Sequence, residues 1–318
     1  MKLTVLEKNS VGEEMDFSCF EEFGEVTYYA NTLRENVAEH VKDADIVIVN
    51  KAPMNEETLK DCPNVKFISI LATGYDNVDL EYCRSRGIVV SNVVNYSTAA
   101  VAQHTFALLF YLLEHLNYYD RYVKSGNYAG QDRFSNFDRA FSEIAGKTWG
   151  IIGLGTIGKT VAKIAEAFGC HVIFYSASGF STCMDYKRVE LEELLTSSDI
   201  VSIHAPLSDR TRDLIDLKAF QKMKSSAILI NVARGPIVNE QDLATALNEG
   251  MIAAAGLDVL GREPIAVDSP LADIKDSDRL IITPHLAWAS TEARVRLIQE
   301  VYLNICAFLQ GNGRNVVS

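Results

Sequence analysis

Short apolar runs recur at residues 3–6, 26–29, 46–49, 67–71 and 89–91, and the intervals 31–42 and 55–60 carry apolar positions at helical spacing. Strand–helix alternation over such short connections predicts a parallel α/β layer, one domain in outline. From 97 to about 124 the pattern changes. Val101, Phe106, Leu108, Leu109, Leu112, Leu113 and Leu116 form a broad apolar surface at helical spacing, which predicts one long helix capped by Ser97 or Thr98. Its breadth exceeds what one domain face needs and predicts a buried partner, a second subunit for instance. Residues 127–142 are polar and aromatic without a period, with Phe134, Phe137 and Phe141, and read as a surface loop near a domain boundary. From Lys147 a second series begins. It places strands at 171–175, 200–204, 227–232, 252–257 and 280–283, with helices at 189–196, 217–223 and 240–248, the pattern of a doubly wound sheet. A final amphipathic helix at 290–309 follows this unit in sequence and can pack back on the first.

The chemistry starts at the head of that second series. Trp149-Gly150-Ile151-Ile152 reads as a buried strand and runs into Gly153-Leu154-Gly155-Thr156-Ile157-Gly158, with a helical pattern from Thr156 to about Phe168. Gly153 permits a tight turn, Gly155 lets backbone approach a pyrophosphate, and Gly158 lets the helix pack close to the strand. The free N–H groups and positive dipole end of the helix then face the phosphates. Glycine clusters also occur in ordinary turns; the strand before and the helix after select dinucleotide binding.

Composition removes other classes. At 318 residues about two domains are expected, and 48% apolar with 23% charged residues is ordinary for a water-soluble chain. A net charge of −12 argues against general nucleic-acid binding, and no apolar run approaches a membrane span. The first seven residues look like an opening strand rather than a signal peptide. The six cysteines are scattered without C-x-x-C, as reduced packing residues of a cytoplasmic protein would be. No metal site is expected, since the histidines show no ligand spacing with them.

Ligands of such sheets bind at the carboxyl ends of strands. Those ends carry Ala205-Pro206 with Thr211, Val232-Ala233-Arg234, Asp258 with Glu263, and His285. This is the inventory for reducing a 2-oxo acid. A planar guanidinium suits a carboxylate, an imidazole suits proton delivery near neutral pH, and a carboxylate orients the ring and favours its charged form.

With these residues in place, the whole chain resembles a D-isomer-specific 2-hydroxyacid dehydrogenase, nearest the glycerate dehydrogenase and hydroxypyruvate reductase branch. The resemblance rests on the glycine turn, Asn231-Val232-Ala233-Arg234-Gly235, Asp258-Val259 with Glu263-Pro264, and Pro284-His285 with Ala287. It implies an α/β protein of two Rossmann-like doubly wound parallel-sheet domains with a cleft between them. Residues 1–97 plus 289–318 would form the substrate domain and 98–288 the dinucleotide domain, in a homodimer. It implies Arg234, Glu263 and His285 as catalytic residues, with Arg234 on the substrate carboxylate. Ala72, Thr73 and Gly74 in the 71–77 turn would bind substrate, and Trp288 would wall its pocket unless it is a core or interface residue. Contacts to the dinucleotide would come from Thr98, Gly153, Gly155, Thr156, Ile157, Gly158, Ser176, Ala205, Pro206, Thr211, Val232, Ala233, Asp258 and His285, with Asp258 on the nicotinamide carboxamide.

Two positions sharpen the branch: Gln103, where many members carry Glu, and Trp288. One departs from the pattern. After the strand at 171–175, Ser176 stands where an acid would hold the adenosine ribose, and no arginine follows immediately; Lys187 and Arg188 lie further on. NAD and NADP both stay open, NAD slightly favoured by family habit. The expected substrate is a small 2-oxo acid such as hydroxypyruvate or glyoxylate. D-Lactate, larger branched or aromatic acids and 3-phosphoglycerate are the alternatives, and a dinucleotide-sensing corepressor is the non-catalytic one. Formate oxidation is disfavoured, because that branch resembles a Gln–His pair.

Overall fold

In the computed structural model, which describes residues 1–180, 183–274, 276 and 278–318, the apolar runs become strands of two separate parallel sheets. The chain divides into two units, Met1–Ser97 with Ala289–Ser318, and Thr98–Trp288.

The first unit holds β1 (Lys2–Val5), β2 (Glu25–Tyr28), β3 (Ile46–Val49), β4 (Phe67–Ile70) and β5 (Val89–Ser91) in the order β2-β1-β3-β4-β5. Every residue of β3 and β4 is buried, as parallel strands covered on both faces require. Around them lie α1 (Val37–Val41), α2 (Glu56–Leu59), α3 (Leu80–Ser85) and, from the far end of the chain, α10 (Thr291–Leu309). Phe308 of α10 stacks on Phe67 of β4 at 4.4 Å, so the last helix completes the first unit's core. The helix expected over 31–42 is shorter, a 3₁₀ turn Arg34–Asn36 leading into α1. The unforeseen α3 is capped by Asp79, whose carboxylate accepts from Tyr82 N at 2.9 Å.

The second unit holds β6 (Thr148–Ile152), β7 (His171–Tyr175), β8 (Lys187–Arg188), β9 (Ile200–Ile203), β10 (Ile228–Asn231), β11 (Ala254–Leu257) and β12 (Leu280–Ile282), ordered β12-β11-β10-β9-β6-β7-β8. The strand order reverses at β6, the doubly wound arrangement with its ligand crevice outside the carboxyl ends of β6 and β9. Its helices are α4 (Thr98–Leu113), α5 (Leu116–Lys124), α6 (Thr156–Ala167), α7 (Leu191–Ser197), α8 (Leu217–Lys222) and α9 (Glu240–Asn248). Successive strand residues feed opposite cores. Ile151 and Ile200 face the α4–α6 side, while Ile152 and Val201 face the other. Trp149, fully buried, donates its indole N–H to Ser202 Oγ at 2.8 Å.

The stretch read as one long helix is two. His115 adopts a left-handed conformation (φ 52°) between α4 and α5. No glycine or proline marks the break in sequence. Tyrosines of α5 tie down the following loop: Tyr119 Oη donates to Arg139 O at 2.6 Å, and Tyr122 Oη to Gln131 Oε1 at 2.7 Å. Much of the breadth of α4 is met inside its own unit. Val101, Phe106, Leu108, Leu109 and Leu112 are buried on the α6 side of the sheet, and the missing side chain of Gly256 lets Leu108 and Leu112 approach β11.

Candidate active site

The turn after β6 has the shape its glycines predict. Gly153 sits at φ 91°, and a Cβ there would lie 2.8 Å from Ala205 backbone atoms. A Cβ on Gly158 would come within 2.3 Å of Gly153 O, so α6 rests directly on the turn. At Gly155 a Cβ would meet nothing within 4 Å among the described residues, which leaves its bareness to serve something outside the protein. Gly155 is the N-cap of α6 and supplies no side chain, so the first-turn amides of Thr156 and Ile157 keep the polarity that favours phosphate.

A cavity of about 610 Å³ opens beside this turn, with Gly153, Gly155, Ser176, Ala205, Pro206 and Thr211 in its lining. Two of these spend their hydroxyls within the protein. Ser176 Oγ donates to Phe180 O at 2.6 Å, and Thr211 Oγ1 donates to Pro206 O at 2.8 Å while accepting from Ser208 N at 2.7 Å. His204 is also in the lining. Ser202 Oγ accepts from Trp149 and lies 2.9 Å from His204 Nε2. His204 Nδ1 is shielded from solvent and has no hydrogen-bond partner among the described residues. Burial pushes this histidine down to about 3, which keeps the ring neutral. An open glycine cradle and an uncapped helix start fit a dinucleotide.

The residues expected to form the acid/base set lie at the ends of β11 and β12. His285 Nδ1 contacts Glu263 Oε2 at 2.6 Å, and Glu263 Oε1 accepts from Leu260 N at 2.9 Å. Nδ1 is thereby engaged, and Nε2 is the nitrogen left for a ligand. His285 holds φ 54°, an uncommon conformation for a β-carbon residue, and Asp258 is what fixes it. The Asp258 carboxylate, 1% exposed, accepts from Thr283 Oγ1 at 2.6 Å, Leu286 N at 2.9 Å and Ala287 N at 2.9 Å. Three of its roughly four lone-pair directions are therefore used on the histidine's own loop. The resemblance implies a cofactor contact for Asp258; its visible contacts also make it the anchor of His285.

His104 on α4, which sequence did not single out, adds to this anchor. Its Nε2 lies 3.0 Å from Thr283 Oγ1 and 3.5 Å from Asp258 Oδ1. Burial lowers its pKa against the opposing pull of Asp258. Only its place in space, opposite a strand end 179 residues later, reveals it. Asp258→Asn offers one acceptor oxygen where two now accept. We expect it to cost about 1–3 kcal/mol, read as a thermal midpoint lower by roughly 2–12 °C.

Arg234 follows β10 on a turn held by Asn231, whose Oδ1 accepts from Ala233 N at 3.1 Å and whose Nδ2 donates to Arg234 O at 3.0 Å. One of its guanidinium donors, Nη1, reaches Ala233 O at 2.8 Å. A Cβ on the next residue, Gly235, would lie 1.9 Å from Leu260 C, so the loops carrying Arg234 and Glu263 are held backbone to backbone. Val232 is buried among the α4–α6 side chains and Ala233 borders the opposite core. Trp288 packs against the α4–α6 core, and Thr98 opens α4.

In the first unit the turn after β4 is tied by Thr73 Oγ1 to Val93 O at 2.7 Å, by Asn92 Nδ2 to Thr73 O at 2.7 Å, and by Val93 N to Ala72 O at 2.9 Å. The backbone N–H groups of Thr73 and Gly74 make no hydrogen bond among the described residues. The other amide cluster, after β3, is already filled: Glu7 Oε2 accepts from Asn50 N, Lys51 N and Ala52 N at 2.8–3.0 Å. Among the described residues no group of three or more His, Cys, Asp or Glu could hold a metal, and no helix is long and apolar enough to cross a membrane.

A doubly wound sheet with a dinucleotide cradle at its switch point and a His–Glu pair on neighbouring strand ends defines a dinucleotide-binding oxidoreductase. A family model described as D-isomer specific 2-hydroxyacid dehydrogenase, NAD binding domain, matches residues 106–287. The chain is 39% identical over 324 residues to a hydroxypyruvate reductase of Blautia hydrogenotrophica, covering 100% of both. It is 38% identical over 317 residues to a glycerate dehydrogenase of Methylorubrum extorquens, covering 99% of this chain and 98% of that one. The solved structure of an acyclic imino acid reductase in complex with NADPH and D-Arg superposes with a TM-score of 0.90 at 31% identity, covering 100% of each chain. The chain belongs to the D-isomer-specific 2-hydroxyacid dehydrogenases, on their glycerate dehydrogenase and hydroxypyruvate reductase branch. It is an oxidoreductase acting on the CH–OH group of small hydroxy acids with NAD(P).

Proposed function

We propose that the protein reduces a small 2-oxo acid of the hydroxypyruvate or glyoxylate type to the D-2-hydroxy acid, and runs the reverse oxidation. The observation that carries this reading is the 2.6 Å contact between His285 Nδ1 and Glu263 Oε2 at the strand ends of a dinucleotide domain. Met1–Ser97 with Ala289–Ser318 is the substrate domain of this reading, and Thr98–Trp288 the dinucleotide domain.

NAD(P)H, when bound, supplies the hydride for C2. Gly153, Gly155, Thr156, Ile157 and Gly158 hold its pyrophosphate. Ser176, Ala205, Pro206 and Thr211 border its adenosine half, while Thr98, Val232, Ala233 and Asp258 serve the nicotinamide half. His285, protonated, gives the Nε2 proton to the carbonyl oxygen as the alcohol forms, and Glu263 stabilises the imidazolium and keeps Nε2 directed outward. Arg234 binds the substrate carboxylate and polarises the carbonyl. Ala72, Thr73 and Gly74 are substrate-binding residues, Thr73 and Gly74 through their backbone amides, and Trp288 bounds the group attached to C2.

NADH and NADPH oxidation measured over hydroxypyruvate, glyoxylate, pyruvate, 2-oxoisocaproate and phenylpyruvate tests this. The highest kcat/KM is expected with hydroxypyruvate or glyoxylate. A maximum on pyruvate or a bulky acid would move the substrate class, and cofactor binding without turnover of any acid would favour a sensor.

The reading also places the protein in the cytoplasm as a homodimer. Phe134, Phe137 and Phe141 are 91, 74 and 60% exposed around a cavity of about 600 Å³ beside Tyr119 and Tyr122. Three large aromatics left in water on one face favour a covering surface, here a second copy of the chain. Sedimentation at micromolar concentration should give twice the chain mass; a monomer would assign that face elsewhere.

A further inference from the structure

Ser176 stands at the carboxyl end of β7, where an acid would hold the ribose hydroxyls of NAD and repel a 2′-phosphate. Two cations that sequence order keeps apart converge on the same turn. Arg210, from the loop after β9, donates from Nη1 to Ser178 O at 3.1 Å. Arg188 donates from Nη2 to Gly179 O at 2.9 Å. It does so because the two-residue strand β8 returns alongside β7, with Arg188 in register with Phe174. Gly179, at φ 77°, closes the turn by donating its N–H to Ser176 O at 2.9 Å.

Ser176, Ser178 and Arg210 line the cavity that also contains Gly153 and Gly155. Among the described residues neither arginine pairs with a carboxylate. Each guanidinium has five N–H donors, and one of each is used on a backbone carbonyl. The rest remain for an anion at the ribose end of the dinucleotide.

From this we infer that Arg210 and Arg188 form a 2′-phosphate site, and that the protein prefers NADP(H) to NAD(H). Family habit points to NAD; the geometry around Ser176 points the other way. Two guanidiniums carry charge-assisted donors that match a phosphate dianion, while the ribose hydroxyls of NAD offer them no charge. A carboxylate at position 176 would cancel that field.

The inference rests on the dinucleotide reading of the cavity, so its test is made by binding rather than by turnover. Calorimetric titration of the intact protein with NADP+, NAD+, 2′,5′-ADP and 5′-AMP should give NADP+ at least about tenfold tighter than NAD+, and 2′,5′-ADP tighter than 5′-AMP. Arg210→Ala and Arg188→Ala should each lower the NADP+/NAD+ affinity ratio by about 10–100-fold. Ser176→Asp should reverse the preference. Equal or tighter binding of NAD+ by the parent protein overturns the inference. So does a loss in Arg210→Ala shared equally by both dinucleotides, because a structural role would give that result. Binding of NADP+ with no oxo-acid turnover would remove the proposed reaction and leave the phosphate site standing. Turnover with NADH and rejection of NADPH would do the opposite.

Discussion

Replacing His285 with Ala is expected to lower oxo-acid turnover by about 10²–10⁴-fold, the range for removing a positioned acid/base. Dinucleotide binding should persist in the variant, because the cavity at the glycine turn is built from β6, β7 and β9 loops. The ring has one free nitrogen because Glu263 holds Nδ1 at 2.6 Å. Its unusual backbone is set by Asp258 rather than by the imidazole, so truncation leaves the loop in place. Single-turnover rates with bound cofactor measure the effect. A near-parental rate would remove His285 from the mechanism, and loss of cofactor binding would mean the variant disturbs the fold.

The second large effect is expected at Arg234. Arg234→Ala should lower kcat/KM for the oxo acid by about 10²–10⁴-fold, from the loss of two charge-assisted hydrogen bonds to a carboxylate. Lysine should recover little of it, since a point charge cannot reproduce a planar fork. The turn that presents Arg234 is held through its backbone by Asn231 and by the close approach of Gly235 to Leu260, neither of which needs the guanidinium. The variant should therefore melt near the parent. Kinetic constants for Ala and Lys variants against one oxo acid decide it; unchanged kcat/KM in either would assign the carboxylate to another residue.

Strand positions were legible because parallel strands buried on both faces are continuous apolar runs, and β3, β4, β9 and β10 are buried throughout. The glycine turn was legible for a related reason: only glycine fits where a Cβ would strike Ala205 or Gly153. The break at His115 was not, since no glycine or proline marks the left-handed position. Nor were β8, His104 and Arg210. A two-residue strand is too short for a period, and the other two matter through partners many residues away. The strand ends supplied Arg234, Glu263 and His285 as candidates, but the clamp that Asp258 places on the histidine's loop required coordinates.

That clamp ties the working life of the enzyme to one edge of its sheet. β12 is three residues long and has one neighbour, β11, while Asp258 grips the segment that follows it. Edge segments of this kind open locally at far lower free energy than a buried centre. Each such opening would release Leu286 and Ala287 from Asp258 and let His285 leave its left-handed conformation, with the rest of the domain still folded. Inactivation by heat or denaturant then becomes a fraying event at one margin, ahead of global melting. A longer or better-covered β12 would extend operating lifetime without any change to the reacting groups.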